Sequence, residues 1–263
     1  MSDLKIIFVA FSENTLGRQI LWGIEEIGLK PVKAYMASKQ AQKDYRKRSI
    51  KRYLKRNGYF NLIWRIIYRI TVRRNVRSSS LKISEASQES ISAFCQRRNI
   101  PLSFFDNINN ADFIKKLAQD QPDLIVLGGA PLIKKAVIQV PKIAVLNSHP
   151  GVLPEAKGMD VVSQSILQEI PLGVTVFQVD EGMDTGPIIL LEKLDSSIKG
   201  LKLHEIEAMI EQLSARAMVK AIEKIRSGDY NFVNQEGDGN IFTSLNYSTY
   251  RKVASKLRSN QWD

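Results

Sequence analysis

Short apolar runs alternate along the chain with longer segments whose apolar residues recur every three or four positions. The run from Lys5 to Phe11 is typical of a buried strand. The next segment spaces its apolar residues along one helical face, and either Ser12 or Asn14 can cap that helix. Because the alternation continues as far as Arg226, the sequence predicts an α/β fold with a doubly wound, mostly parallel sheet.

The same patterns predict the remaining elements. Strands are expected at residues 31–37, 101–105, 123–127, 143–149, 173–179 and 187–194. Helices are expected at residues 87–98, 111–119, 160–169 and 203–226. We expect one catalytic domain over residues 1–263, in which residues 227–263 form a short C-terminal extension. Ligands of such sheets bind beyond the carboxyl ends of the strands, so candidate functional residues are sought there.

The positive charge of the chain is concentrated in one stretch. Residues 39–77 hold 14 Lys and Arg and one acid, a net charge of +13, within a chain whose total is +11. The other residues therefore sum to −2, which is nearly neutral. We interpret residues 39–80 as a basic, helical insert in the catalytic domain.

The insert divides at the turn-forming pair Asn57-Gly58. Before it, Lys and Arg alternate with a few apolar residues. After it, residues 59–72 have the pattern of an amphipathic helix. Residues 43–77 are therefore candidates for contact with an acidic membrane surface or another acidic partner. The alternatives are a solvated face that covers the domain and a contact between subunits, and no recognised nucleic-acid-binding motif accompanies the charge.

Composition excludes several classes of protein. Hydrophobic residues at 44% and charged residues at 25% are typical of a globular chain. The lone Cys95 allows no intramolecular disulfide, and with only two His residues no zinc site, or any other metal site, is predicted. No apolar run is long enough to span a membrane. We expect a cytoplasmic protein, either free or peripheral at a membrane, and its oligomeric state stays open.

Candidate chemistry lies where two predicted strands end. Asn147 and His149 are two residues apart in a strand and therefore share a face. Pro150 favours an extended backbone at His149, which projects its imidazole from the strand end. The polar loop 180–186, which contains Asp184, follows a neighbouring strand and can meet them. The pattern alone also fits a capped turn.

An amide, an imidazole and a carboxylate together suit acyl transfer between amines. The amide of Asn147 can hold a developing oxyanion. The imidazole of His149 can carry a proton between the attacking and leaving nitrogens, and Asp184 can orient the ring. No Ser or Cys nucleophile elbow is evident, because Cys95 lies on an ordinary amphipathic helix. The sequence therefore favours transfer without a covalent enzyme intermediate.

The motif Asn-x-His-Pro-x-x-Leu-Pro at residues 147–154 is followed by Gly-Val-Thr at 173–175 and Asp-x-Gly-Pro-Ile-Ile at 184–189. This combination resembles the folate-dependent formyltransferases, which act on glycinamide ribonucleotide, methionyl-tRNA and nucleotide-linked sugars. The resemblance implies a Rossmann-like formyltransferase fold and 10-formyltetrahydrofolate as the donor. It also implies a catalytic trio of Asn147, His149 and Asp184.

The same resemblance implies the positions of the ligands. The pterin of the folate would lie against the loop 128–133, at Gly129, Pro131, Leu132 and Ile133. The next loop would close over it with Asp180, Glu181 and Met183. Ser12 and Lys157 are candidates for contact with the acceptor, and the Leu153–Pro154 bond is expected to be cis.

Departures from the family pattern bear on the acceptor. Ser12-Glu13-Asn14 stands in place of a glycine-rich phosphate loop, which disfavours glycinamide ribonucleotide. Phe177 replaces an additional His of some members, and about 37 residues follow Arg226, too few for a tRNA-binding barrel. The leading expectation is a nucleotide-linked amino sugar. An aminoacyl, peptide or lipid-linked amine, and a non-catalytic protein that binds through residues 43–77, are the alternatives.

Overall fold

The structure, a computed structural model, describes residues 4–78 and 89–259. The strands are β1 (Ile6–Ala10), β2 (Lys33–Ala37), β3 (Leu102–Phe105), β4 (Leu124–Leu127), β5 (Ala144–His149), β6 (Ala156–Gly158), β7 (Gly173–Gln178), β8 (Ile188–Lys193) and β9 (Asn240–Phe242). The helices are α1 (Thr15–Glu26), α2 (Lys39–Ser78), α3 (Ile91–Arg97), α4 (Ala111–Gln119), α5 (Lys135–Ile138), α6 (Val161–Gln168), α7 (Leu203–Ser227) and α8 (Tyr247–Arg258).

Seven strands form one sheet in the order β3-β2-β1-β4-β5-β7-β8. The first five are parallel, whereas β7 runs antiparallel to β5 and β8 antiparallel to β7. The predicted fold class is therefore confirmed. The strand order reverses between β1 and β4, so the loops after these two strands meet at the switch point where such sheets bind ligands.

Alternate residues of the central strands face two separate apolar layers. Ile6 and Phe8 of β1 pack with α1, α3 and α7 on one face of the sheet. Ile7 and Val9 pack with α4 on the other. This alternation follows from the two-residue period of a strand, and it explains why β1 is apolar along its whole length.

Polar residues of the first loop fix the starts of two helices. The side chain of Asn14 accepts a hydrogen bond from the amide of Gly17 at 2.7 Å, so Asn14 caps α1. The carboxylate of Glu13 accepts from the amides of Ile91 at 2.7 Å and Ser92 at 3.1 Å. This carboxylate and Ser90 cap α3, so the helix begins at residue 91. The predicted start, residue 87, lies outside the described residues.

Residues 39–78 of the basic insert form the helix α2, which is broken at Gly58 by a backbone with φ 77° and ψ 172°. Residues 79–80 of the insert lie outside the described residues. The break falls at the predicted position and divides α2 into a first arm, residues 39–57, and a second arm, residues 59–78. The guanidinium of Arg65 lies 4.7 Å from the ring centre of Tyr53. In a straight helix these residues would be about 18 Å apart along the axis. The two arms therefore bend towards each other at Gly58.

The chain after α7 meets β8 at a bridge between Val233 and Ile188, and it adds two elements that were not predicted. The short strand β9 pairs with β6, and Ala156 is in register with Asn240. The helix α8 buries only Val253 and Leu257, so its apolar pattern is too sparse to predict it. None of the described helices is long and apolar enough to cross a membrane.

Candidate active site

The imidazole of His149 lies at the end of β5 and is 4% exposed. Its Nε2 atom is 2.7 Å from the backbone oxygen of Ala156. A carbonyl oxygen can only accept, so Nε2 carries the hydrogen of this bond and the other ring nitrogen, Nδ1, holds the lone pair of the neutral ring. Gly151 allows the chain to pass this close, because a Cβ there would meet Nε2 at 3.1 Å.

The carboxylate of Asp184 faces that lone pair. Its Oδ2 atom lies 3.6 Å from Nδ1 of His149 and accepts a hydrogen bond from the amide of Gly158 at 2.9 Å. The predicted loop and strand therefore bring the imidazole and the carboxylate together. The backbone of Asp184 is left-handed, with φ 54°, which is an uncommon conformation for a residue with a side chain.

The side chain of Gln235 holds this unusual backbone in place. Its Nε2 atom donates to the backbone oxygens of Asp184 at 3.0 Å and Gly186 at 2.8 Å. Asp184 is therefore held at two points. The Gly158 amide of β6 binds its Oδ2 atom, and Gln235, which lies beyond α7, binds its backbone.

Burial lowers the pKa of His149, and this cause outweighs the opposite effects of the Asp184 charge and the Ala156 carbonyl. The ring is therefore neutral at pH 7. A neutral imidazole with a lone pair on Nδ1 can take up a proton, and the carboxylate beside it stabilises the cation that results.

Asn147 lies two residues before His149 on β5, opposite Phe177 of β7, and is half-buried. In the part of the chain that the structure describes, its side chain makes no hydrogen bond. Its amide hydrogens are therefore free for a ligand. The expected cis bond between Leu153 and Pro154 is present.

Thr175 supports the loop that joins β5 to β6. Its hydroxyl donates to the backbone oxygen of Gly151 at 2.8 Å and accepts from the amide of Leu153 at 3.1 Å. The side chain is fully buried. The threonine of the Gly-Val-Thr motif therefore fixes the loop around the imidazole, a role that the sequence did not reveal.

The loop after β4, expected to bind the folate, lies beside the end of β1. The backbone oxygen of Gly129 accepts from the amide of Phe11 at 3.0 Å. Asn109 fixes the far end, because its side chain donates to the backbone oxygen of Leu132 at 3.0 Å. Pro131 is half-buried, Leu132 is 74% exposed, and Ile133 is buried in the core layer that contains α4.

An ion pair joins the loop after β7, also expected to bind the folate, to the helix α5. Glu181 lies 2.9 Å from Lys135 of α5, which follows the loop after β4, and both side chains are exposed. The carboxylate of Asp180 accepts from the Thr185 hydroxyl at 2.7 Å, so it supports its own loop. Met183 is half-exposed.

The two residues expected to contact the acceptor lie in different surroundings. Ser12 is half-buried, and its backbone oxygen accepts from the side chain of Asn14 at 2.8 Å. Lys157 is buried in β6, between the residues that bind His149 and Asp184, and among the described residues it forms no ion pair.

The sequence does not predict that Gln235 and Gly158 bind Asp184, and the reason is physical. Gln235 reaches Asp184 from 51 residues away along the chain, and no local pattern reports such a contact. Gly158 contributes only its backbone amide. Across residues 4–78 and 89–259, no group of three His, Cys, Asp or Glu residues could hold a metal ion.

Two kinds of sequence comparison relate the chain to known proteins. The profile of the Formyl transferase family matches residues 75–222. The methionyl-tRNA formyltransferase of Methylacidiphilum infernorum is 35% identical over 127 residues, which are 47% of this chain and 39% of that protein. That of Endomicrobium trichonymphae is 35% identical over 133 residues, 50% of this chain and 42% of that protein. The chain thus matches less than half the length of these relatives.

Solved structures share the fold at low identity. The N-formyltransferase from Helicobacter canadensis, in complex with folinic acid and dTDP-3-aminofucose, has a TM-score of 0.59 at 14% identity, over 97% of this chain and 80% of that one. Glycinamide ribonucleotide transformylase 1 from Symbiobacterium toebii has a TM-score of 0.58 at 17% identity, over 89% of this chain and 96% of that one.

Proposed function

Because the chain belongs to the formyl transferase family, we propose that it transfers a formyl group to a primary amine. The bound donor, 10-formyltetrahydrofolate, would supply the formyl carbon on its N10 atom. A bond forms between this carbon and the amine nitrogen, the bond to N10 breaks, and the proton lost by the amine ends on N10. The observation that carries the proposal is the buried imidazole of His149 beside the carboxylate of Asp184.

His149 acts as the proton carrier in this proposal. Its Nδ1 lone pair accepts the proton of the attacking amine, and Nε2 stays bonded to the Ala156 oxygen. The carboxylate of Asp184 stabilises the imidazolium, because opposite charges attract strongly where water is excluded. The proton then returns to the leaving nitrogen from the same atom, directly or through water held by Asp184.

Asn147 stabilises the negative charge that develops on the formyl oxygen. Its side chain is half-buried, lies on the same strand face as His149, and has its donors free. Side-chain amides in this role typically contribute about 10²- to 10³-fold to the rate of acyl transfer.

The loops after β4 and β7 fit a flat heteroaromatic donor. Leu132 and Met183 are exposed apolar side chains, one on each loop. In the described residues, the amides of Gly129, Ala130 and Leu132 have no hydrogen-bond partner. An apolar surface with free amides suits a pterin ring, which has an apolar face and a polar edge.

For the acceptor, we propose a nucleotide-linked amino sugar. The loop after β1 would hold the phosphate of glycinamide ribonucleotide, but its Glu13 is bound at the start of α3. Burial raises the pKa of the Glu211 carboxyl on α7, and the nearby backbone amide of Leu16, in the first turn of α1, opposes this effect. A phosphate at the start of either helix would meet an acidic side chain. This disfavours glycinamide ribonucleotide, whose phosphate would bind there.

The acceptor and the enzyme activity are tested by one assay with a binding control. Purified protein is incubated with 10-formyltetrahydrofolate and, in separate reactions, a nucleotide-linked amino sugar, methionyl-tRNA or a lipid-linked amine. Tetrahydrofolate release is expected with the amino sugar. Release only with another amine would contradict this acceptor. Calorimetry with folinic acid is the control, because absence of binding would support a non-catalytic protein instead.

A further inference from the structure

The second arm of α2 presents an apolar stripe on its outer side. Tyr59, Ile63, Ile66 and Ile70 follow one another at intervals of four, three and four residues, which places them on one face of the helix. They are 74%, 58%, 51% and 50% exposed. Monomeric proteins rarely leave such a continuous row of large apolar side chains in water, so this outer stripe indicates a binding surface.

The opposite side of the same arm is already packed on the protein. Trp64 contacts the ring of Tyr250 at 5.3 Å in α8. Arg65 lies 3.6 Å from Asp160, two residues after the strand β6 that binds His149 and Asp184. The arm therefore cannot rotate to bury its outer stripe without breaking these contacts. The alternative that the amphipathic arm merely covers the domain does not explain this stripe.

The first arm of α2 supplies cations next to the outer stripe. Its single acid, Asp44, leaves a large excess of positive charge. All nine of its Lys and Arg side chains are exposed: Lys39, Lys43, Arg46, Lys47, Arg48, Lys51, Arg52, Lys55 and Arg56. The partner must therefore offer negative charge to the cations and an apolar environment to the outer stripe.

Only one class of partner meets both requirements well. A nucleic acid would neutralise the cations but leave the isoleucines in water. A second copy of this chain would bring two strongly basic arms close together, which repel each other. An anionic lipid surface offers phosphates to the cations and acyl chains to the stripe.

We propose that α2 docks the protein on an anionic membrane surface. The outer stripe enters the boundary between headgroups and acyl chains, and the cations of the first arm lie among the headgroups. The pair Arg65–Asp160 connects this helix to the segment after β6, so docking holds the candidate active site near the surface. The proposal is independent of formyl transfer, because membrane binding is measured without any substrate.

Vesicle co-sedimentation tests the apolar part of the proposal. Binding is compared between phosphatidylcholine vesicles and vesicles that also contain phosphatidylglycerol, at about 0.15 M ionic strength. We expect binding only to the anionic vesicles. The double variant Ile63→Ser/Ile66→Ser should weaken it by about tenfold or more, because the stripe loses two apolar anchors. Phe104→Ser is the matched control, since Phe104 is 60% exposed on β3 and should not matter.

A charge variant tests the electrostatic part and does not alter the stripe. The variant Lys47→Gln/Lys51→Gln/Lys55→Gln should weaken binding about a hundredfold. Lys115→Gln/Lys116→Gln/Lys134→Gln is its control, because it removes the same charge from exposed residues outside α2. Thermal unfolding of each variant should match the wild type, since all the substituted side chains lie at the surface.

Three results would overturn the proposal. One is absence of binding to anionic vesicles, or equal binding to neutral ones. Another is binding to tRNA that outcompetes the vesicles and is unchanged in the serine variant. The third is a dimer, seen by light scattering, that the serine variant abolishes, because the outer stripe would then bind a second copy.

Discussion

At the scale of single residues, the two ring nitrogens of His149 have different roles. Nε2 is bonded to the Ala156 oxygen and Nδ1 faces Asp184. The pairing of His149 with Asp184 could be predicted from two motifs at strand ends. The tautomer could not, because it depends on a backbone oxygen of the short strand β6, which the sequence does not predict.

The activity should fall at acid pH as His149 becomes protonated. Because burial lowers its pKa below the ordinary value of 6.5, this acid limb should lie below that pH. The Asp184 charge opposes the shift, so Asp184→Asn should move the limb to still lower pH and reduce kcat. The pH profile of kcat/KM checks this. A limb that moves to higher pH in the variant would contradict the assignment.

We expect Gln235 to be a positioning residue, because it binds the backbone of Asp184 and not the reacting atoms. Gln235→Leu removes both of its hydrogen bonds to that loop, and we expect kcat to fall about tenfold. The pH limb of His149 should also shift, since its carboxylate neighbour is less well held. Gln139→Leu, at an exposed glutamine, is the control. Loss of thermal stability with an unchanged pH profile would indicate a purely structural role.

At the scale of elements, β6 connects the chain after α7 to the candidate active site. Its residues Ala156 and Gly158 bind His149 and Asp184, and the same strand is in register with β9. A strand of three residues is too short for its two-residue alternation to be recognised in a sequence. The strands β1 to β5 were predictable because each is a longer apolar run.

Substitution at Gly158 should disturb both stability and activity. Its φ of 97° disfavours a side chain, and a Cβ would meet the backbone oxygen of Phe242 at 2.3 Å. Gly158→Ala should therefore cost about 2–4 kcal/mol in the free energy of unfolding and displace the carboxylate of Asp184.

Gly228→Ala is the matched control, because its φ is 79° and a Cβ there meets nothing within 4 Å. It carries only the conformational cost, about 1 kcal/mol. Chemical denaturation and kcat measure both variants. Equal losses of stability would show that contact between β6 and β9 is unimportant.

At the scale of the whole molecule, contacts between distant residues hold the added segments to each other and to the start of α6. Tyr53 of α2 donates to the backbone oxygen of Leu245 at 3.0 Å, and Arg65 lies beside Asp160. Such contacts join residues far apart along the chain, so local periodicity cannot predict them. The order of strands and helices was predictable, whereas the placement of α2 and of the chain after α7 was not.

Stability should decrease as pH rises through neutrality, because of a half-buried carboxyl on α7. Burial, followed by the charges of Asp160 and Glu211, raises the pKa of Glu207 to about 7. The folded protein therefore binds a proton that the unfolded chain releases near pH 4.5, so this stability is complete below that pH and is lost above pH 7.

Glu207→Gln should flatten this dependence and raise the free energy of unfolding at pH 8 by up to about 3 kcal/mol relative to the wild type. Thermal unfolding between pH 5 and pH 8 checks it. Glu236→Gln, at an exposed carboxyl, should leave the profile unchanged. The same pH dependence in both variants would mean that Glu207 ionises normally.

Proton transfer by His149 is the central step of the proposed formyl transfer. The most direct measurement is the rate of tetrahydrofolate release from 10-formyltetrahydrofolate by wild type and His149→Ala, with the same amine acceptor and with folinic acid binding checked in both. We predict turnover by the wild type and a rate about 10²- to 10⁴-fold lower in the variant, with folate binding retained. A His149→Ala protein that releases tetrahydrofolate as fast as the wild type would contradict the account.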